Sequence, residues 1–268
     1  MWSAIKRAQS AGVAELLDGA RHWRVWHLLG IQDLRNRYAR SRLGQIWLVA
    51  SAAIMVGAMS LAWSALSNQP ASELAPFIGA GFVIWSYFSQ VISDCTMIFT
   101  THGNFYRNQK MAFSVSIYAL IYKNTIIFVH SLIIVAGLIL FFGVPVNWYD
   151  LQIVPALLLT WITMLWAGYV TAMVCVRYRD LIQLINSWLL VIFIVTPILW
   201  KPDLLAVHNR FIIDYNPFAH FVDLLRRPML GEEVASETWL TAGAIAFGGA
   251  LMASLLIGRY RHRVIFWV

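Results

Sequence analysis

DLRNRYARSRLGQIWLVASA, residues 33–52, joins a cluster of cations to a segment that has none. Arg35, Arg37, Arg40 and Arg42 fall within eight positions, and after Arg42 no ionisable side chain occurs until Glu73. About 20 apolar residues, rising 1.5 Å each, cross the hydrocarbon core of a bilayer. The arginines then stand where the chain enters that core, at a face where anionic headgroups favour each of them by about 1 kcal/mol. The stretch reads as the entrance to a first membrane span.

Composition points the same way. The chain has 268 residues, 60% hydrophobic, 14% aromatic and 12% charged, against about 25% charged in a soluble domain. So few charges do not cover a water-soluble globule of this size. The net charge of +7 invites a nucleic-acid reading, but the cations sit at the ends of apolar runs and not on one face of a soluble fold. Membrane topology explains them, and nucleic acid is not an expected partner. Cys95 and Cys175 lie in or beside apolar runs without metal-ligand spacing and read as small buried apolar residues. The first forty residues lack the charged start, apolar core and small-residue site of a signal peptide, so the first span is expected to insert and stay.

Six uncharged or nearly uncharged runs are long enough to cross: 43–66, 74–100, 112–143, 151–176, 181–200 and 238–258. The expected fold is an all-α integral membrane protein of six transmembrane helices. Asp94 lies in the second run and Lys123 in the third, both off centre; Pro155 and Pro197 fall inside runs. Lys6, Arg7, Arg21, Arg24 and the four entrance arginines, Arg107, Lys110, Arg177, Arg179, Arg259, Arg261 and Arg263 all fall on one side of this arrangement. Segments 67–73 and 144–150 carry no Lys or Arg. Only 201–237, with Lys201, Arg210, Arg226 and Arg227, departs from the pattern. The bias puts both termini in the cytoplasm.

The chain divides into a cytoplasmic segment 1–42, a transmembrane domain 43–258 and a cytoplasmic tail 259–268. Trp23, Trp26, Gly30 and Leu34 recur at helical spacing and predict an interfacial amphipathic helix over 22–40 that lies on the membrane. Segment 201–237 is too apolar for a linker. Asn216 suits an N-cap and Pro217 the first helical position. Phe218, Phe221, Leu224 and Leu225 share a stripe, and Pro228 and Gly231 mark the end. One or two short re-entrant helices are expected there, acceptable at membrane depth where protein or water satisfies their ends.

No catalytic residues emerge. The chain has no GxxxxGK[ST], GxSxG or HExxH, and its histidines are scattered. No metal site or cofactor is expected in it. Asp94 is the one carboxylate within the spans and reads as a hydrated group near the cytoplasmic end of span two. A membrane transferase acting on lipid-linked sugars would need a polar cluster, and the nearest set is Asp203, His208, Asp214, His220 and Asp223. Among many span aromatics, Trp85, Tyr87 and Phe88 are the candidates for lining a conduit, since aromatic faces accept the C–H faces of sugars without fixing one hydroxyl pattern.

These motifs resemble a known family. DLRNRYARSRLGQIW (33–47) resembles the entry motif of type-2 ABC exporter permeases that move bacterial surface polysaccharides, in which R-x-R-[YF]-x-x-S-x-L-G-x-x-W leads into the first span. RYRD (177–180) is similar to the family's short turn after span four. TPILW (196–200) with DYNPFAHFVDLLRRPMLG (214–231) is similar to its outer re-entrant region. RYRHRVIFWV (259–268) is similar to tails of the lipopolysaccharide O-antigen branch. The likeness runs from about residue 20 to the C-terminus.

The resemblance implies a homodimeric permease in the bacterial inner membrane, with a channel between protomers. It implies a separate cytoplasmic P-loop ATPase that holds ATP and Mg, and a lipid-linked polysaccharide, O-antigen or else capsule or teichoic acid, as cargo. It implies ATPase contacts at Trp23, Trp26, Asn104, Arg107, Arg177, Arg179 and Asp180. Arg35, Arg37, Arg40 and Arg42 would meet the lipid headgroup at the entrance. Asn216, Pro217, Phe218 and Phe221 would form an outer gate. The plainer reading of RYRD is topology with a local Arg–Asp pair.

Overall fold

The computed structural model describes residues 2–38, 46–103, 106, 111–204 and 209–267, and among them every regular element is helical. The elements are α1 (Trp2–Arg21), α2 (Trp23–Tyr38), α3 (Ile46–Ser67), α4 (Ala71–Cys95), α5 (Ile98–Thr101) and α6 (Ser114–Phe142). There follow a 3₁₀ turn (Trp148–Gln152), α7 (Ile153–Arg177), α8 (Asp180–Val195), a 3₁₀ turn (Pro202–Leu204), α9 (Phe211–Asp214), α10 (Pro217–Met229) and α11 (Ser236–Val264). Five stretches among the described residues are long and apolar enough to cross a membrane: Val49–Ser67, Ala71–Cys95, Ser114–Phe142, Trp148–Arg177 and Ser236–Val264.

The fifth expected run, 181–200, gives a shorter helix. α8 has 16 residues, about 24 Å at 1.5 Å per residue. Pro197 lacks an N–H and disfavours helical geometry in the residue before it. Thr196 accordingly turns extended, at φ −78° and ψ 136°. Pro155 does no such damage, because it falls in the first turn of α7, where amide donors have no helical acceptor. The second run also ends early: α4 stops at Cys95, and residues 98–101 form the separate helix α5. The expected tail at 259–268 is not a separate segment, since α11 continues through Arg259, Arg261 and Arg263 to Val264.

α4 is the centre of the bundle. It packs against α3, α6, α7, α8 and α10, and Ile78, Ile84, Phe88 and Val91 are wholly enclosed. Small residues permit the close approach: a Cβ on Gly81 would stand 3.3 Å from Ile198 Cγ2. α3 and α8 are held far more loosely. Among the described side chains, α3 buries only Val56 and Ser60, and α8 buries only Leu189.

The N-terminal segment folds further than the sequence suggested. α1, which no periodicity singled out, packs on α11. Ala8 and Gly12 meet Ser254 and Gly258 so closely that a Cβ on either glycine would strike the facing backbone. The spacing is that of small residues four apart, which lets two helix backbones touch. α2 forms over nearly the whole of the helix expected at 22–40, and its stripe is covered by α6. Gly30 and Leu34 are buried, and a Cβ on Gly30 would come within 2.8 Å of the Ala119 carbonyl oxygen. The Trp26 ring lies against Tyr118 and Tyr122.

Glu15 pins this corner. It is 8% exposed, and its carboxylate accepts from the Ser114 amide (3.5 Å) and the Tyr169 hydroxyl (3.4 Å), with Arg261 Nη1 at 3.7 Å. Burial raises its pKa above the ordinary 4.5; the backbone donors and Arg261 oppose that without cancelling it. Its contribution to stability is therefore complete below pH 4.5 and is lost as pH rises through the elevated folded value. Glu15→Gln, which keeps the shape without the charge, should raise the thermal stability of the purified chain at neutral pH. The gain should vanish on acidification to pH 4.5, as followed by melting curves across pH.

Candidate functional site

One face of α4 carries uncharged polar groups. Phe82, Ser86, Ser89, Gln90 and Ser93 recur at helical spacing. They border a groove of about 450 Å³ whose other walls are Met55 and Met59 of α3 and Asn186, Leu189, Leu190 and Phe193 of α8. Ser86 donates to the Phe82 carbonyl (2.7 Å), and Ser93 donates across the groove to Asn186 Oδ1 (2.8 Å). The hydroxyls are thus satisfied inside a greasy bundle, as buried polar groups must be. A second cavity of about 240 Å³ shares Phe82, Ser86, Gln90 and Met55 and extends to Arg37, Asn124 and Ser131.

A polar chain leads into these cavities. Arg37 Nη2 donates to Gln90 Oε1 (3.4 Å), and Gln90 Nε2 donates to Asp94 Oδ1 (2.6 Å). Lys123 Nζ stands 2.7 Å from Asp94 Oδ2, to which Asn124 Nδ2 also donates at 3.1 Å. Asp94 is therefore not the free hydrated carboxylate expected from the sequence. It is paired with Lys123, the one Lys or Arg of the neighbouring helix, which offsets the cost of partly removing the charge from water.

The three candidate conduit aromatics divide. Trp85 borders the larger groove, with its ring centroid 5.8 Å from Phe193 and 5.5 Å from Phe218. Tyr87 borders the smaller cavity and shares a hydrogen bond with Thr125 Oγ1 (3.3 Å). Phe88 is wholly enclosed between Phe218 and Phe221 and acts in packing.

At the far end of the bundle, Asn216 Oδ1 caps α10 by accepting from the Phe218 amide (3.0 Å), while its Nδ2 donates to Thr196 Oγ1 (2.9 Å). Pro217 occupies the first helical position and Phe221 is buried. Sequence reasoning gave Arg226 no role beyond an awkward charge. It is 2% exposed, donates to the Pro197 carbonyl (2.6 Å) and to Asp223 Oδ1 (3.0 Å), and lies 3.8 Å over the Phe77 ring. Arg227 takes the other Asp223 oxygen at 2.7 Å, and Lys201 pairs with Glu73 at 3.0 Å. Three of the four cations that depart from the charge bias are thus matched by acids. Among the described members of the set suggested for a transferase, Asp223 is committed to two arginines, and His220 Nε2 faces the Asp214 backbone carbonyl at 2.9 Å and not a carboxylate. His208 lies outside the described residues.

The positions expected to meet an ATPase are scattered along the Arg-rich end. Trp23 is exposed beneath Arg24, whereas Trp26 is turned into the protein. Asn104 and Arg107 lie outside the described residues, as do Arg40 and Arg42; Arg35 and Arg37 are exposed on the last turn of α2. His102 joins α5 to α2 through Asp33 (3.6 Å). RYRD forms no local Arg–Asp pair: Arg177 lies 4.8 Å over the Trp267 ring, and Arg179 and Asp180 are exposed at the start of α8. The sequence signal that was missed is the recurrence of Ser86, Ser89, Gln90 and Ser93 on one side of an otherwise apolar run.

Lys123→Ala leaves Asp94 without its cation and should cost about 2 kcal/mol, within the range for losing a hydrogen bond to a charged group, because the pair is only partly buried. Replacing both partners together, Asp94→Asn with Lys123→Met, should recover most of that loss. Thermal unfolding in detergent measures both.

The chain matches the family described as ABC-2 type transporter over residues 24–230. It is 19% identical over 215 residues to an O-antigen export system permease protein RfbA of Klebsiella pneumoniae, covering 78% of this chain and 83% of the relative. A second RfbA from the same organism is 18% identical over 234 residues, covering 85% and 90%. With most of its helices inside the matched region, this chain belongs to the ABC-2 type transporter family.

Proposed function

We propose that the chain is the permease subunit of an ATP-driven exporter of a lipid-linked polysaccharide, O-antigen in the first place, across the bacterial inner membrane. The observation that carries this reading is the groove between α3, α4 and α8, apolar in its walls yet lined along α4 by serines and amides. Uncharged donors and acceptors suit hydroxyl-rich cargo, since binding at each must be weak enough for the cargo to leave. Trp85 and Phe193 add rings for sugar C–H faces. The names of the RfbA relatives favour O-antigen over capsule or teichoic acid.

The chain works as a homodimer in this reading. The exposed apolar faces of α3 and α8 meet a second copy and close the groove into a channel. Both termini are cytoplasmic, in keeping with the Lys and Arg bias. Fuel comes from a separate P-loop ATPase that binds ATP and Mg, in keeping with the absence of a nucleotide motif in this sequence. Its movement reaches the permease through Trp23, the 101–111 segment with Asn104 and Arg107, and the RYRD turn, chiefly Arg179 and Asp180. Arg35, Arg37, Arg40 and Arg42 receive the pyrophosphate of the lipid carrier, for which the planar arginine fork is suited. Segment 201–237 is re-entrant and gates the outer side. The Asn216–Thr196 bond and the Phe218–Trp85 contact support a gate coupled to the groove wall.

Two sets of variants, expressed with the partner ATPase in cells lacking the native permease, test this reading through surface glycan. Ser89→Trp, which fills the groove, should bring export to background while the chain still inserts and co-purifies with the ATPase. Normal surface glycan in that variant overturns the pathway. Arg40→Glu with Arg42→Glu should also abolish export with expression and dimerisation intact; normal export there removes the entrance arginines from lipid recognition.

A further inference from the structure

A second kind of cleft opens where α7 and α11 run out of the bundle at the Arg-rich end. It has a volume of about 340 Å³, and its floor is apolar: Val170, Met173 and Val174 of α7 with Leu256 of α11. Its mouth is cationic and aromatic, formed by Arg177 and Arg263 with Trp267. The two halves of the cleft ask for different chemistry in one ligand.

The arginines are the informative part. Among the described residues, Arg226, Arg227 and Arg261 each have a carboxylate partner. Arg261 stands two positions from Arg263 and is matched to Glu15. Arg177 and Arg263, like the exposed Arg24, Arg35 and Arg179, have no such partner; what sets them apart is that both border one cleft, with their guanidinium groups over the rings of Trp267 and Tyr260, at 4.8 and 5.9 Å. Stacking occupies the flat face of a guanidinium and leaves its N–H edge open. That edge matches the paired oxygens of a phosphate. Asp180, three positions from Arg177, heads α8 and forms no ion pair with it.

We propose that this cleft is a binding site for an anionic phospholipid, with the phosphate on Arg177 and Arg263 and an acyl chain laid over Val170, Val174 and Leu256. Basic pockets between membrane helices on the cytoplasmic side recognise such headgroups. A free phosphate would leave the apolar floor uncovered, and a zwitterionic phospholipid, which has the same phosphate, would bring its own cation up to the two arginines, so a headgroup of net negative charge is the better match. The site is separate from the α4 groove, shares no lining residue with it, and does not depend on the identity of the exported cargo. Its effect is on the tail: the bound lipid holds Trp267 and the end of α11 against the RYRD turn.

The test uses the full chain, purified and placed in nanodiscs containing equal amounts of phosphatidylglycerol and phosphatidylcholine. Native mass spectrometry then counts the lipids retained. The wild type should hold phosphatidylglycerol in preference by roughly tenfold or more, the scale of two arginines each favouring a headgroup of net negative charge by about 1 kcal/mol. Arg177→Gln with Arg263→Gln should lose that preference, and Arg24→Gln, at an exposed arginine elsewhere, should keep it. A preference unchanged in the double variant overturns the proposal. Displacement of the lipid by inorganic phosphate at equal concentration overturns it as well, because the site would then read the anion alone. A second measurement needs no variant. Photoreactive phosphatidylglycerol on the wild type should label peptides spanning 170–178 and 256–267, and labelling confined to other helices refutes the assignment.

Discussion

The architecture turns on the neutralisation of Asp94. A carboxylate partly enclosed among apolar helices costs free energy unless its oxygens find partners. Here Lys123 reaches it from α6, with Gln90 and Asn124 filling its remaining acceptor sites. That arrangement fixes the rotation of α4 against α6. The rotation of α4 in turn decides that Ser86, Ser89 and Ser93 face the groove while Phe88 faces inward. A pair that binds two helices thus also sets which face of the central helix lines the groove.

The same economy governs the opposite end. Asp223 serves two arginines, and Arg226 reaches from α10 to the Pro197 carbonyl that the helix break leaves without an intrahelical donor. The guanidinium also sits on the Phe77 ring at the start of α4. One side chain therefore ties α10, the end of α8 and the central helix together. Its burial is sustained by three partners of different kinds, which is what a charge in a low-dielectric interior requires.

Much of the helical layout was legible because hydropathy and length alone mark long apolar helices, and α3, α6 and α11 have strong signals of both. What was hidden required partners. Asp94 and Lys123 lie 29 positions apart, and nothing local in either run says that they meet. α1 escaped notice because its contact with α11 rests on Ala8, Gly12, Ser254 and Gly258, small residues four apart that add nothing to a hydropathy signal and lie about 245 positions from their partners. Pro155 and Pro197 looked alike in the sequence; only their place, in a first turn or at a helix end, separates a harmless proline from a decisive one. Asn216 was readable as a cap because capping is local chemistry.

The union of α1 with α11 has a mechanical meaning. α11 is one unbroken helix of 29 residues, about 44 Å long at 1.5 Å per residue, and it carries α1 near one end while also packing against α10. Close-packed glycine contacts give little under load. The helix therefore spans the bundle as one stiff strut, joining the α1 contact to the α10 contact by a route that does not line the groove.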